Sequence, residues 1–62
     1  MTKETYKNFT ITVFWFHNEC GYRFRIHDAN GALVSEGYDT YFYDYNALNA
    51  AKKVIDKMEV SA

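Results

Sequence analysis

Proline is absent from the chain, glycine occurs three times and cysteine once among 62 residues. Few residues that loosen a backbone are therefore present, and long disordered stretches are not expected. The single thiol, Cys20, excludes an internal disulfide, and with two histidines it leaves too few ligands for a closed structural zinc site. A surplus of one charge is missing too. Seven basic against eight acidic residues give a net charge of −1, whereas nucleic-acid binders commonly carry a basic excess. No apolar run is long enough to cross a bilayer, and no leader-like start or low-complexity tail is visible. A membrane partner is thus not expected. Without a leader the glycosylation pattern Asn8-Phe9-Thr10 carries little weight, and a lone thiol suits a reducing compartment, so the expectation is a cytoplasmic protein.

Aromatic residues are abundant: five Phe, six Tyr and one Trp. Below roughly 70–80 residues a core seldom supplies more than a few kcal/mol. Dense aromatic packing or self-association is the remaining way to supplement it, because aromatic rings dominate both cores and interfaces.

Residues 1–7 are polar and read as a frayed arm. Strand character begins at Phe9, where Phe9, Ile11, Val13 and Trp15 fall on one face and Thr10 and Thr12 on the other. Phe14 and Phe16 then place aromatics on that second, polar face. His17 to Gly21 is a turn, with Asn18 and Gly21 available for positive φ. Tyr22 to His27 alternates cleanly, with Tyr22, Phe24 and Ile26 inward and Arg23, Arg25 and His27 outward. Asn30-Gly31 favours a two-residue type I′ hairpin. That loop pairs Arg25 with Glu36 and Arg23 with Tyr38, and puts Leu33 on the inner side. A three-residue loop would instead turn Val34 and Tyr38 inward; the register is open between the two, and the shorter loop is preferred because it yields an opposite-charge cross-strand pair.

Residues 39–45 extend the third strand, form a short edge strand or loop across to a helix. From Ala47 the period is helical: Ala47, Leu48, Ala51, Val54, Ile55 and Met58 form an apolar stripe, with Asp44 or Asn46 as N-cap. The expected fold is a single α+β domain over residues 1–62, a three-stranded antiparallel sheet packed on one C-terminal helix in two layers (β-β-β-α). One helix covers one face of a sheet. The other face must remain bare or meet something.

Four groups of side chains are candidates for chemistry. Cys20 with His17 or His27 would need an electropositive setting to form a thiolate, yet Glu19 stands beside it and no oxyanion element is visible; an enzyme is not expected. His17, Glu19, Cys20, His27 and Asp28 are scattered between turns and opposite faces, so neither a metal nor any other cofactor is expected. The outer sheet face gathers Phe14, Phe16, Arg23, Arg25, His27 and Glu36, with Tyr38 joining them in the shorter-loop register. Such a face serves protein contact or self-association, stacks bases and contacts phosphates, or is covered by residues 39–45. The run Glu36, Tyr38, Asp39, Tyr41, Tyr43, Asp44, Tyr45 combines rigid rings with negative charge, which fits a protein partner with a basic surface, including a nucleic-acid-binding groove.

The stretch Tyr22-Arg23-Phe24-Arg25-Ile26, with Asn30-Gly31, Ser35-Glu36-Gly37-Tyr38 and a helix carrying Ile55, resembles one copy of the YegP-like domain, a β-β-β-α unit often found in tandem. That resemblance implies pairing of two copies, here as a homodimer. Arg23 and Arg25 on the middle strand are also similar to the arm-binding domains of tyrosine recombinases and the plant ethylene-response-factor domain, which lay a three-stranded sheet in the DNA major groove; this likeness implies nucleic-acid binding. The reading taken from the residues is a non-enzymatic protein-binding module using Phe14, Phe16, Arg23, Arg25, Glu36, Tyr38, Asp39, Tyr41, Tyr43 and Asp44. A stoichiometric inhibitor, phage-encoded proteins of the anti-CRISPR kind being the concrete analogue, is one form of it. The alternative is a sheet-mediated nucleic-acid-binding domain.

Overall fold

A computed structural model describes residues 2–61, with side chains through Met58. Its elements are β1 (Thr2–Tyr6), β2 (Phe9–Phe16), β3 (Gly21–His27), β4 (Leu33–Glu36) and α1 (Asp44–Ser61), with a 3-10 turn at His17–Glu19. The strands form an antiparallel sheet in the order β1-β2-β3-β4. The sheet packs on the one C-terminal helix, as expected, but it has four strands and not three.

The extra strand is the segment read as a frayed arm; Met1 of that arm, like Ala62, lies outside the described residues. Lys7 (φ 49) and Asn8 (φ 69) are both left-handed, and they close a two-residue hairpin in which Tyr6 faces Phe9 and Glu4 faces Ile11. Positive φ at both loop residues is the geometry whose twist matches paired strands. β1 escapes the hydrophobic pattern because its inward residues are polar and are matched by the helix. Lys52 Nζ lies 2.7 Å from Glu4 Oε2. Tyr6 Oη donates to Asp56 Oδ1 at 3.0 Å and Lys7 Nζ reaches the same oxygen at 2.8 Å.

β2 and β3 pair as the alternation requires, Ile11 with Ile26 and Val13 with Phe24. At the turn between them the left-handed residue is Cys20 (φ 52), not Asn18 or Gly21. The β3–β4 connection departs from a type I′ hairpin. Asn30 is not left-handed whereas Gly31 is, at φ 87. Gly31 N–H donates to Asp28 O, Asp28 N–H to Ala32 O, and the Asp28 carboxylate accepts from Asn30 and Ala32 N–H, each at 2.9–3.0 Å. The loop therefore has three residues, 29–31. An irregularity between Ile26 and His27 then shifts the register by one, which restores the pairing of Arg25 with Glu36 expected from the shorter loop. Leu33 pairs with His27 instead of joining Phe24 and Ile26, and it stays 53% exposed.

α1 begins at Asp44, three residues before the apolar stripe. Tyr43 O accepts from Asn46 N–H at 3.2 Å and Asp44 Oδ1 from Tyr45 N–H at 2.7 Å, so part of the first turn's donors is satisfied. Ala47 and Ala51 allow α1 to lie close over β2 and β3. The core comprises Ile11, Val13, Phe24 and Ile26 from the sheet and Ala47, Ala51 and Ile55 from the helix. Trp15 was expected inside but is 52% exposed at the end of the sheet, its ring edge-on to Tyr22 at 5.2 Å.

At Gly37 a Cβ would fall 2.5 Å from the Phe24 ring, and Phe24 is buried. Gly37→Ala is expected to destabilise by about 1–3 kcal/mol through overpacking, read as a lower urea midpoint. An unchanged midpoint would show that the ring has room to move.

Candidate functional site

The outer sheet face is the first place to look, because no helix covers it. Cross-strand pairing brings Phe14 opposite Arg23 and Phe16 opposite Gly21. The Arg23 guanidinium lies 3.9 Å from the centre of the Phe16 ring, and that of Arg25 lies 4.6 Å from the Phe14 ring. Both are cation–π distances. Each arginine is also held by a carboxylate: Arg23 by Glu19 and Arg25 by Glu36, both at 2.7 Å. Thr40 adds a hydrogen bond to each end of the first pair, accepting from Arg23 Nε and donating to Glu19. The Arg23 side chain is only 17% exposed. The bare face is therefore roofed by its own arginines, with Thr40 of residues 39–45 bonded to the Arg23–Glu19 pair.

Hydrogen bonds from Thr40 and Arg23 hold the Glu19 carboxyl below its usual range. Those from Lys7 and Tyr6 do the same for Asp56, and the bond to Asp56 raises the Tyr6 phenol. A carboxyl depressed in the folded state contributes stability above its unfolded value and loses it as pH falls through the folded value. Stability should thus decline on acidification below about pH 4. Glu19→Gln with Asp56→Asn should give a shallower acid decline in thermal melts, and parallel curves would contradict the assignment. Both carboxyls are exposed, so the change will be small.

The second place is the end of the molecule where β2 finishes, β3 starts and α1 begins. The chain leaves β3 after Gly37, whose N–H donates to Phe24 O, and rejoins it at Tyr41, which exchanges two 2.8 Å backbone bonds with Tyr22. Residues 38–40 loop out between these anchors. Tyr41 is half-buried against the core, but its neighbours face water. Phe42 is 77% exposed and Tyr38 75%, with Tyr45, Trp15 and Tyr43 near one half. Tyr43 stacks on Tyr45 at 5.3 Å, and Phe42 meets Tyr43 edge-on at 4.7 Å. Asp39 and Asp44 are exposed beside these rings, and neither forms an ion pair with a described residue.

The ten residues singled out in the sequence thus divide into two groups. Phe14, Phe16, Arg23, Arg25 and Glu36 make a self-satisfied layer on the outer face. Tyr38, Asp39, Tyr43 and Asp44 lie on the exposed end, and Tyr41 anchors that segment to the sheet. Sequence reasoning counted Tyr45 in the tyrosine run but not among the ten, and passed over Phe42 and Trp15 as members of the surface. The signal available for Tyr45 and Phe42 was the density of rings in D-T-Y-F-Y-D-Y, more than one helix and one sheet edge can hide.

His17 and Cys20 are exposed in the β2–β3 turn, and Cys20 Sγ lies 3.7 Å from His17 O. Asp28 is engaged in its loop. Among the described residues no three His, Cys, Asp or Glu side chains come together to hold a metal ion, and no helix is long and apolar enough to cross a membrane. The chain matches no family model, no curated protein and no solved structure.

Proposed function

We propose that this chain is a non-enzymatic protein-binding module, and that its contact surface is the aromatic end formed by Tyr38, Phe42, Tyr43 and Tyr45 with Trp15 beside it. The observation that carries this reading is the exposure of Phe42 and Tyr38, at 77% and 75%. Leaving several large rings together in water forgoes burial worth about 1.5–3 kcal/mol for a Phe-sized side chain. Clusters of exposed aromatics are a mark of interaction surfaces. Asp39 and Asp44, without an ion pair among the described residues, give the surface a negative border, which suits a partner whose contact region is basic. A stoichiometric inhibitor that occupies such a region is the mode of action we favour.

The nucleic-acid reading relied on Arg23 and Arg25. Both guanidiniums are bound by carboxylates and lie over phenylalanine rings, so contacting phosphate would require breaking those pairs. Labelled duplex DNA should show no mobility shift even at low salt.

A photo-crosslinking amino acid introduced at position 42, compared with the same group at position 29 in the opposite loop, tests the surface inside producing cells. A discrete adduct from position 42 and none from position 29 is expected. Equal adduct patterns from both, or none from position 42, would remove this surface from consideration.

A further inference from the structure

Several cations of this chain are held in one repeated way. The Arg23 guanidinium lies over the Phe16 ring and on the Glu19 carboxylate, and that of Arg25 over Phe14 and on Glu36. Lys7 and Lys52 both lie over the Tyr6 ring, and each reaches a carboxylate, Asp56 and Glu4 in turn. The pairing has a physical cause. The face of an aromatic ring is electrically negative, so a cation above it gains attraction while its donors still reach sideways to an anion.

The aromatic end offers the same two components without the cation. Tyr43 and Tyr45 stack at 5.3 Å with their planes 12° apart, and Asp44 stands between them in the chain. Tyr38, beside Asp39, and Phe42 add rings that are three-quarters exposed. Among the described residues no lysine or arginine lies over these four rings or pairs with either aspartate. Arg23, near the start of β3, is kept from them by its bonds to Glu19 and Thr40.

We infer that the ligand of this end is an arginine-bearing segment of the partner, its guanidiniums laid on the exposed rings and bonded to Asp39 and Asp44; the inference rests on the aromatic end being the contact surface. Charge complementarity calls for a cation, and the chain's own examples favour arginine over lysine. Its guanidiniums stand 3.9 and 4.6 Å from the ring centres, its ammonium groups 5.4 Å. A guanidinium is flat and weakly hydrated, so it lies on a ring and still presents N–H groups in its plane to a carboxylate. An ammonium holds its water more tightly and gains less from the ring.

The test uses the intact chain and labelled short peptides in which Ser alternates with Arg, with Lys, or with citrulline, which keeps the shape of arginine without its charge. The Arg/Ser peptide should give saturable anisotropy and shift the backbone NMR signals of Phe42, Asp44 and Tyr45. The lysine twin should bind several-fold more weakly, and the citrulline twin not at all. Asp39→Asn with Asp44→Asn should weaken the Arg/Ser peptide about tenfold. Asparagine at position 44 keeps an oxygen for the Tyr45 N–H, so the helix start is preserved. Absence of saturable binding, equal binding of either twin, or full affinity in the aspartate variant would each overturn the assignment. A discrete adduct from position 42 together with no peptide binding would strike the arginine chemistry alone, whereas a missing adduct strikes the surface itself.

Discussion

Ile26→Ala is expected to unfold a large part of the population, with a loss of about 3–4 kcal/mol. Ile26 is fully buried one residue from the end of β3, an inner strand of the sheet. Across the sheet it faces Ile11, also fully buried, and Ile55 of the helix belongs to the same cluster. Truncation removes transfer free energy and leaves a cavity that a rigid central strand does not collapse to fill. A domain of this size holds only a few kcal/mol in total, so one such deletion approaches the whole margin. Urea unfolding followed by circular dichroism reads the outcome. A loss below about 1 kcal/mol would mean that the helix settles into the vacated space and that this core is softer than its burial implies.

The second large effect concerns binding. Phe42→Ala, Tyr43→Ala and Tyr45→Ala combined should weaken the module's hold on its protein partner on the order of 100-fold, because a few aromatic anchors supply most of an interface's free energy. The same measurement on Phe14→Ala with Arg25→Ala should show a much smaller change, since those side chains satisfy each other across the outer face. Titration of the partner identified by crosslinking at position 42 would decide between the two surfaces. A larger loss from the outer-face pair would return the function to the sheet.

Much of the fold is legible in the residues because two periodicities carry it. The alternation in Phe9–Phe16 and Tyr22–His27 fixes the central strands, and the stripe Ala47, Ala51, Ile55 fixes the buried helix face. What escapes is what does not run on hydrophobic pattern. β1 is polar on both faces, and its inward Glu4 and Tyr6 make sense only once Lys52 and Asp56 are beside them. The register of β4 combines a three-residue loop with a compensating irregularity, and no local rule foresees that the two cancel. Trp15 has the correct parity but lies at the end of the sheet, and period alone does not say where helix coverage stops.

The candidate surface follows the same division. That one sheet face lacks a helix can be deduced by counting layers. That Arg23 and Arg25 fold back over Phe16 and Phe14 requires the cross-strand geometry, along with carboxylates at Glu19 and Glu36 placed to hold them. The exposed end depends on Tyr41 rejoining β3, which aims Tyr38 and Phe42 outward on either side of the anchor. An isolated two-residue bridge of that kind leaves no pattern to read.

Thermal unfolding of the Phe42→Ala/Tyr43→Ala/Tyr45→Ala protein is the most direct test of whether those rings are there for a partner. In a domain of this length about 1 kcal/mol corresponds to 4–8 °C. Rings that face water contribute little to the fold, so the melting temperature should stay within a few degrees of the parent or rise as alanine enters the helix start. A fall of about 15 °C or more would show that the aromatic end holds the fold together, and would contradict its role as a binding surface.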